Sequence, residues 1–374
     1  MHIYDRLGVT RIVNARGAVT KFGGSLMPPV AYTAIREAGS AFVSIDDLLD
    51  RSGSHVAALL GVPAAHICSG AAGGLALCAA ACLTGNHLEK IRSLPKTQGW
   101  ANEVIVQRRN EHHYIHQCME SVGSKIVEVG DVDRLTFDQV GAALSSRTAA
   151  IQVCLGGPSI PTVASLAVLA KRAGVPLIVD AASEVPPRQN LYQPLQDGAS
   201  LLVVSGGKGL RAPQNTGLIV GTSDLVRACR ANGSPNDAIG RGMKVSKEDI
   251  CAFVVCLEEF LSVDELDEVA TYWRRATYLE HLLSSAARLS VSIKSAHPVT
   301  RQGLPRVFLS VDSGSRSASE SLFNSMLNGN PAIVLGQYDD GLYIDPLMLD
   351  DNHVALIATR ILSWVSAAAD QSLK

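Results

Sequence analysis

A lysine flanked by glycines sits between two apolar runs in LLVVSGGKGLRAPQNTGLIVG, residues 201–221. A lysine held partly out of water loses proton affinity and becomes a nucleophile able to form a Schiff base. Lys208 is therefore a residue whose type and setting could do chemistry. Two other features share its pattern. Asp180 ends the run PLIVD, and a carboxylate after four apolar residues is costly unless a cation or hydrogen-bond donors meet it. The segment SGAAGG, residues 69–74, follows the apolar AHIC and opens an alanine-rich stretch. Small residues there leave backbone N–H groups and the helix dipole open to an anion, typically a phosphate.

Taken singly, each feature has a plain structural explanation: a loop lysine, a helix cap or structural ion pair, a tight turn capped by Ser69. In this chain order the three match what pyridoxal 5′-phosphate (PLP) requires: a phosphate cradle, a partner for the protonated ring nitrogen, and a Schiff-base lysine. Ser69, Gly70, Ala71 and Ala72 are the expected phosphate contacts, joined by the hydroxyl of Ser205, three residues before Lys208. Ser183 can hydrogen-bond the ring oxygen or another cofactor group, and the glycines beside Lys208 would let a flat ring approach the backbone. Competing motifs fail. Gly209 follows Lys208 where a P-loop needs Ser or Thr, and SGAAGG is not GxGxxG. His112 and His116 are four apart in HHYIH, but no carboxylate or cysteine partner is evident, so no metal site is expected.

These residues need a scaffold. Candidate strands are AHICS (65–69), EVIVQ (103–107), KIVEV (125–129), AAIQVCL (149–155), PLIVD (176–180), LLVVS (201–205) and TGLIVG (216–221). Most are continuously apolar, as in strands covered on both faces. Helix-like segments such as GLALCAAACL, TFDQVGAAL and VASLAVLAKRA separate several of them. The fold class is α/β, with a mainly parallel sheet and crossover helices. LLVVS and TGLIVG are too close for a crossover helix and are expected to pair antiparallel. Ligands of such sheets bind beyond the carboxyl ends of the strands, where all three features fall.

After about residue 245 two consecutive helices appear, then strands around VSIK, RVFLSVD, PAIV and GLYID, and a C-terminal helix. We expect an N-terminal arm without a strong element (1–25), a large domain (26–245), and a connecting helix with a smaller α+β domain (246–374). The 374 residues, 47% hydrophobic, suffice for two domains. Charged residues make up 18% and the net charge is −2, which offers no field for nucleic acid or an anionic membrane. Eight cysteines form no CxxC pair, as in a reducing compartment. The N-terminus has no apolar leader, and no run reaches the ~18 apolar residues of a membrane helix. A cytoplasmic protein is expected.

The order SGAAGG, VDAASE, SGGKGLRAPQNTGLIVG resembles the aspartate aminotransferase-like superfamily of fold type I PLP enzymes. More narrowly it is similar to the group related to bacterial selenocysteine synthase, which includes D-glucosaminate-6-phosphate ammonia-lyases. IVNARGAVTKFGGSLMPP resembles that group's opening, and the likeness runs from about residue 7 to 260. It implies Lys208 as the internal aldimine lysine, Asp180 as the ring-nitrogen partner, and a homodimer or larger assembly. Because that opening begins at about residue 7, no tRNA-binding domain is expected before it, and with no basic run a tRNA substrate is not expected. One departure stands out. Where relatives often carry a ring-stacking histidine, this chain has Asn110, with His112, His113 and Tyr114 nearby. His113 or Tyr114 is the expected replacement.

Cationic anchors for an acidic or phosphorylated substrate could be Arg16, Lys21, Arg211, Arg241 or Arg306, the last in the region where many fold type I enzymes hold the substrate carboxylate. Gln214 and Asn215 are plausible polar contacts. The expected function is α,β-elimination on an amino acid or amino sugar acid, giving ammonia and a 2-oxo acid. Racemisation or epimerisation is the alternative, since both begin with loss of the Cα proton. Transamination is less favoured. A PLP-binding protein without catalysis is the competing class.

Overall fold

A computed structural model describes residues 1–110, 112–156, 159–295, 304–312, 314–339 and 341–372. Among these lie twelve strands. They are β1 (Ile12–Ala15), β2 (Ala64–Cys68), β3 (Glu103–Gln107), β4 (Lys125–Val129), β5 (Thr148–Cys154) and β6 (Leu177–Asp180). The others are β7 (Leu201–Ser205), β8 (Gly217–Gly221), β9 (Leu289–Lys294), β10 (Arg306–Val311), β11 (Ala332–Tyr338) and β12 (Gly341–Ile344). The chain divides into one unit of residues Leu26–Ser262 and another of Met1–Ser25 with Val263–Lys374.

The larger unit holds a seven-stranded sheet in the order β2-β8-β7-β6-β5-β3-β4. All pairs are parallel except those of β8, which runs antiparallel to both β2 and β7. The reversal has a simple cause: the link from Ser205 to Gly217 is too short for a crossover helix. Alternation inside the apolar strands feeds two cores. Leu202, Val204, Val153, Val179, Leu218 and Val220 face one, with Val56, Leu166, Phe253 and Leu257. Leu201, Val203, Ile178, Val104, Val106 and Ile219 face the other, with Leu75, Leu77, Cys78 and Cys229. Both faces are covered, so both parities must be apolar.

Helix Gly70–Thr84 is nearly all apolar because it is enclosed: Gly74 to Ala81, Leu83 and Thr84 are buried. It lies close to the sheet. A Cβ on Gly74 would sit 2.8 Å from Val203 Cγ1 and 3.1 Å from Cys68 Sγ.

The boundary expected after residue 245 falls instead after Ser262. Helix Lys247–Ser262 buries Ile250, Phe253, Cys256, Leu257 and Phe260 in the first core of the larger unit. The break comes at Asp264, whose side chain accepts from the Leu266 N–H at 2.8 Å and caps helix Glu265–Leu283.

The smaller unit carries a five-stranded sheet, β1-β11-β12-β10-β9, parallel between β1 and β11 and antiparallel elsewhere. The first 25 residues are therefore not an arm without structure. Val13 and Ala15 of β1 enter a core with Ile333, Leu335, Leu279, Ile357 and Ile361. No described helix is long and apolar enough to cross a membrane.

Candidate active site

Strand register places the expected residues along one edge of the seven-stranded sheet. Gly217 is paired with Ser205 on one side and Cys68 on the other, so the ends of β7, β8 and β2 form a row. Asp180 is in register with Val203 and with Cys154. At about 4.8 Å per strand, Ser205 and the turn after Cys68 lie roughly 10 Å apart, which a phosphorylated ring spans.

At one end of this row Ser69 occupies the N-cap position of helix Gly70–Thr84, with no side-chain cap bond. The turn capped by Ser69 is thus not what holds this helix start. Residues Ser69 to Gly73 are half-buried, while the rest of the helix apart from Cys82 is buried. Gly70 has φ +65°, a left-handed turn that a residue with a Cβ rarely adopts. The helix therefore presents unfilled backbone donors at an open edge, the arrangement an anion takes.

Asp180 is 6% exposed. Its Oδ1 accepts the Ala182 N–H at 2.9 Å, and its Oδ2 accepts from Cys154 Sγ at 3.6 Å. Burial pushes the carboxyl above the usual range, although the Ala182 N–H, Lys208, Arg109 and the Cys154 thiol all pull it down. A buried carboxylate in this state gains by meeting a cation such as a protonated ring nitrogen.

Lys208 Nζ donates a hydrogen bond to Ser183 Oγ. Its loop is closed on itself. The Arg211 N–H donates to Lys208 O at 3.0 Å, Ala212 N–H to Gly206 O at 2.9 Å, and Gly206 N–H to Thr216 O at 2.9 Å. The neighbouring glycines serve this closure rather than a flat ring. A Cβ on Gly207 would lie 2.5 Å from Gln214 Cα; one on Gly206 would overlap Thr216 Oγ1, and one on Gly209 would overlap Val185 O. Protein atoms already occupy the space those Cβ atoms would need.

The remaining expected residues fall elsewhere. His113 is exposed and lines an open cleft with His116, Gln117, Glu120 and Glu128. His116 Nδ1 is 3.2 Å from Glu128 Oε1. Tyr114 of that segment senses Asp180: burial, and then the Asp180 charge, push its hydroxyl up. Gln214, Asn215 and Arg211 are exposed. Asn215 Nδ2 donates to Asp249 Oδ2 at 2.8 Å, and Arg211 Nε to Leu26 O at 3.0 Å. Arg241 is exposed and reaches Ser234 Oγ at 3.4 Å.

Arg16, Lys21 and Arg306 belong to the smaller unit. Arg306 is 7% exposed, and its Nε and Nη2 donate to Asp345 Oδ2 at 2.8 and 2.6 Å. Its guanidinium lies 4.8 Å from the Tyr343 ring. Its charge is thus compensated inside its own unit, which corrects the expectation of a substrate-carboxylate anchor. The NARG turn has a structural task as well. Asn14 Oδ1 accepts the Arg16 N–H at 3.0 Å, Asn14 Nδ2 donates to Gly17 O at 2.8 Å, and a Cβ on Gly17 would meet Asp345 Oδ2 at 2.5 Å. The Arg16 side chain itself is exposed.

Two residues near Asp180 were missed: Cys154, and Arg109 just beyond β3, whose charge reaches Asp180 and Tyr114. For Cys154 a signal existed in Gln152, the one polar residue in the apolar run AAIQVCL. For Arg109 there was none, since RRN reads as an ordinary loop.

A model of the family described as SelA, L-seryl-tRNA selenium transferase, matches residues 97–327. The chain is 31% identical to the 5'-C-glycyluridine monooxygenase-decarboxylase of Streptomyces sp, over 96% of this chain and 90% of that one. It is 27% identical to the D-glucosaminate-6-phosphate ammonia lyase of Salmonella typhimurium, over 99% of both. The solved structure of D-glucosaminate-6-phosphate ammonia-lyase superposes with a TM-score of 0.82 at 26% identity, covering 99% of each chain. A serine palmitoyltransferase of Sphingomonas wittichii, 13% identical with a TM-score of 0.62 over 96% of this chain and 88% of that one, shares the fold.

Proposed function

The chain belongs to the SelA family, and on that premise we propose that it is a PLP-dependent lyase of the ammonia-lyase type. Its substrate would be a small 2-amino acid or amino sugar acid with a leaving group on Cβ. The observation that carries this is the meeting of three devices on one sheet edge: an uncapped helix start at Ser69, a buried Asp180 with raised proton affinity, and the Lys208 amine on Ser183.

These residues fit the cofactor. The N–H groups of Gly70, Ala71 and Ala72, with the hydroxyls of Ser69 and Ser205, would hold its phosphate. Asp180 would hold the proton on its ring nitrogen. When bound, PLP supplies an electron sink that acidifies the Cα–H of an amine attached to it. Lys208 would hold the cofactor through its amine and, once a substrate amine takes that place, accept the Cα proton. Ser183 fixes where the Lys208 amine points. Net elimination from a 3-hydroxy-2-amino acid releases ammonia and leaves the 3-deoxy-2-oxo acid, the elements of water being lost and regained. We place the enzyme in the cytoplasm as a homodimer or larger homo-oligomer, the usual form of this fold.

The 31% identical relative is named a monooxygenase-decarboxylase, so a second, oxygen-consuming outcome at the same Cα is tested alongside. None of the relatives named above is a racemase. Purified protein loaded with PLP is offered D- and L-amino acids and phosphorylated amino sugar acids, with ammonia, 2-oxo acid, oxygen uptake and carbon dioxide measured together. Ammonia and 2-oxo acid in equal amounts without oxygen uptake support the lyase. Oxygen uptake with carbon dioxide release supports the second outcome. A protein that takes up no PLP sinks both.

A further inference from the structure

We infer that Cys154 is a positioning residue for Asp180: its thiol donates to the carboxylate oxygen that the backbone leaves open, and so sets which lone pairs face the ring nitrogen of the cofactor. This rests on the PLP assignment above. The geometry is a three-residue relay. Gln152 Nε2 donates to Cys154 Sγ at 3.2 Å, and Cys154 Sγ donates to Asp180 Oδ2 at 3.6 Å. Cys154 and Asp180 are register partners on adjacent parallel strands, so the sheet itself holds the contact.

Gln152, Cys154 and Asp180 are 2%, 4% and 6% exposed, which excludes bulk water from the relay. Burial pushes the thiol up to about 12, helped by the Asp180 charge, so sulfur keeps its proton at neutral pH. The Gln152 amide fills the acceptor side of sulfur and leaves S–H to point at Asp180. An ionised carboxylate offers about four lone-pair sites. Ala182 and Cys154 take one on each oxygen, and the others remain for the ring.

The donor type matters. A thiol is a weak donor. It orients Asp180 without quenching its basicity as an arginine or a second N–H would. Among the described residues, Lys208 after β7, Arg109 after β3, Tyr114 and Cys118 on helix Tyr114–Glu120, and Cys154 on β5 couple electrostatically to Asp180. Cys118 senses the same charge from a half-buried position, which makes it the control.

The test has two arms. In cofactor-free protein, the infrared difference between wild type and Cys154→Ala isolates the Cys154 S–H stretch. It is expected at lower frequency than the Cys118 band, obtained likewise from Cys118→Ala, and to rise in an Asp180→Ala background. A band that ignores Asp180→Ala overturns the proposal. In the second arm, PLP dissociation constants are measured across pH for wild type, Cys154→Ala, Cys154→Ser and Cys118→Ala. Loss of one weak donor predicts about three- to tenfold weaker binding in Cys154→Ala. The loss should be greatest on the acid limb, which moves to higher pH because Asp180 is then more easily protonated. Cys154→Ser should restore part of it, and Cys118→Ala should change nothing. A loss equal at every pH, as a mere cavity would give, overturns the proposal. If wild type binds no PLP at any pH, the cofactor assignment falls and the role given to Cys154 with it; the infrared arm then still reports the thiol–carboxylate bond.

Discussion

Gly217 packs against the Gly70–Ala71 turn proposed to hold the phosphate, and replacing it by alanine should weaken cofactor binding without touching any proposed cofactor contact. A Cβ on Gly217 would lie 2.5 Å from Gly70 C, 2.7 Å from Gly70 O and 2.9 Å from Ala71 N. Ordinary contact begins near 3.4 Å, so the Gly70–Ala71 peptide must retreat by about 0.9 Å. β8 cannot yield in its place, because Gly217 is pinned by pairing with both Ser205 and Cys68. A hydrogen bond to a charged group contributes about 1.5–3 kcal/mol and does not survive such a displacement. Gly217→Ala should therefore bind PLP about ten- to a hundredfold more weakly. Overpacking should also lower stability by about 1–3 kcal/mol. Fluorescence titration of cofactor-free protein with PLP and with phosphate-free pyridoxal reads the effect, with circular dichroism as the check on folding. PLP binding should suffer while pyridoxal binding changes little. PLP affinity within twofold of wild type in a folded variant, or equal losses for both ligands, would refute the reasoning.

Three further outcomes are expected. Lys208→Ala should abolish the visible absorbance that survives dialysis, and borohydride should no longer fix cofactor to the chain; retention of both would remove Lys208 from its role. Asp180→Asn should alter the two states oppositely. The fold raises the Asp180 proton affinity through burial, so between the unfolded and folded titration ranges the folded chain holds more protons, and stability falls as pH rises. Cofactor-free Asp180→Asn should lose that slope and melt higher at neutral pH, yet bind PLP at least tenfold more weakly, the loss expected of one charge-assisted bond. Calorimetry against pH checks the first, and a melting curve no higher than wild type would contradict it. Gly209→Ala forces a Cβ onto Val185 O, a backbone atom, and should cost several kcal/mol; soluble expression with an unchanged melting temperature would contradict it.

Much of this site was legible because strand ends and small-residue turns are local signals. LLVVS, EVIVQ and KIVEV are strands over the residues that their apolar runs mark. The antiparallel pairing of β7 and β8 followed from the length of one loop. What escaped depends on partners far away in the chain. β1 is four residues long and exists only because β11 pairs with it. Arg306 looked like an anchor because Asp345 lies 39 positions away. The glycines of SGGKG suggested room for a ligand, yet Thr216, Gln214 and Val185 occupy it. His113 and Tyr114 are adjacent in sequence, at the start of a helix, and nothing local marked Tyr114 as the one that senses the Asp180 charge.

The parallel pairing of β1 with β11 also sets an order of events during synthesis. Ile12–Ala15 leaves the ribosome early, but its partner Ala332–Tyr338 comes more than three hundred residues later. At about 5–20 residues per second that is a wait of roughly 16 to 60 seconds. Throughout it the first strand has no sheet to join, while Leu26–Ser262 emerges as one uninterrupted stretch able to condense alone. The smaller unit is therefore completed last, from the two ends of the chain. A nascent chain stalled before residue 332 would carry the compact Leu26–Ser262 unit with an unpaired strand trailing from it, a ready substrate for a chaperone.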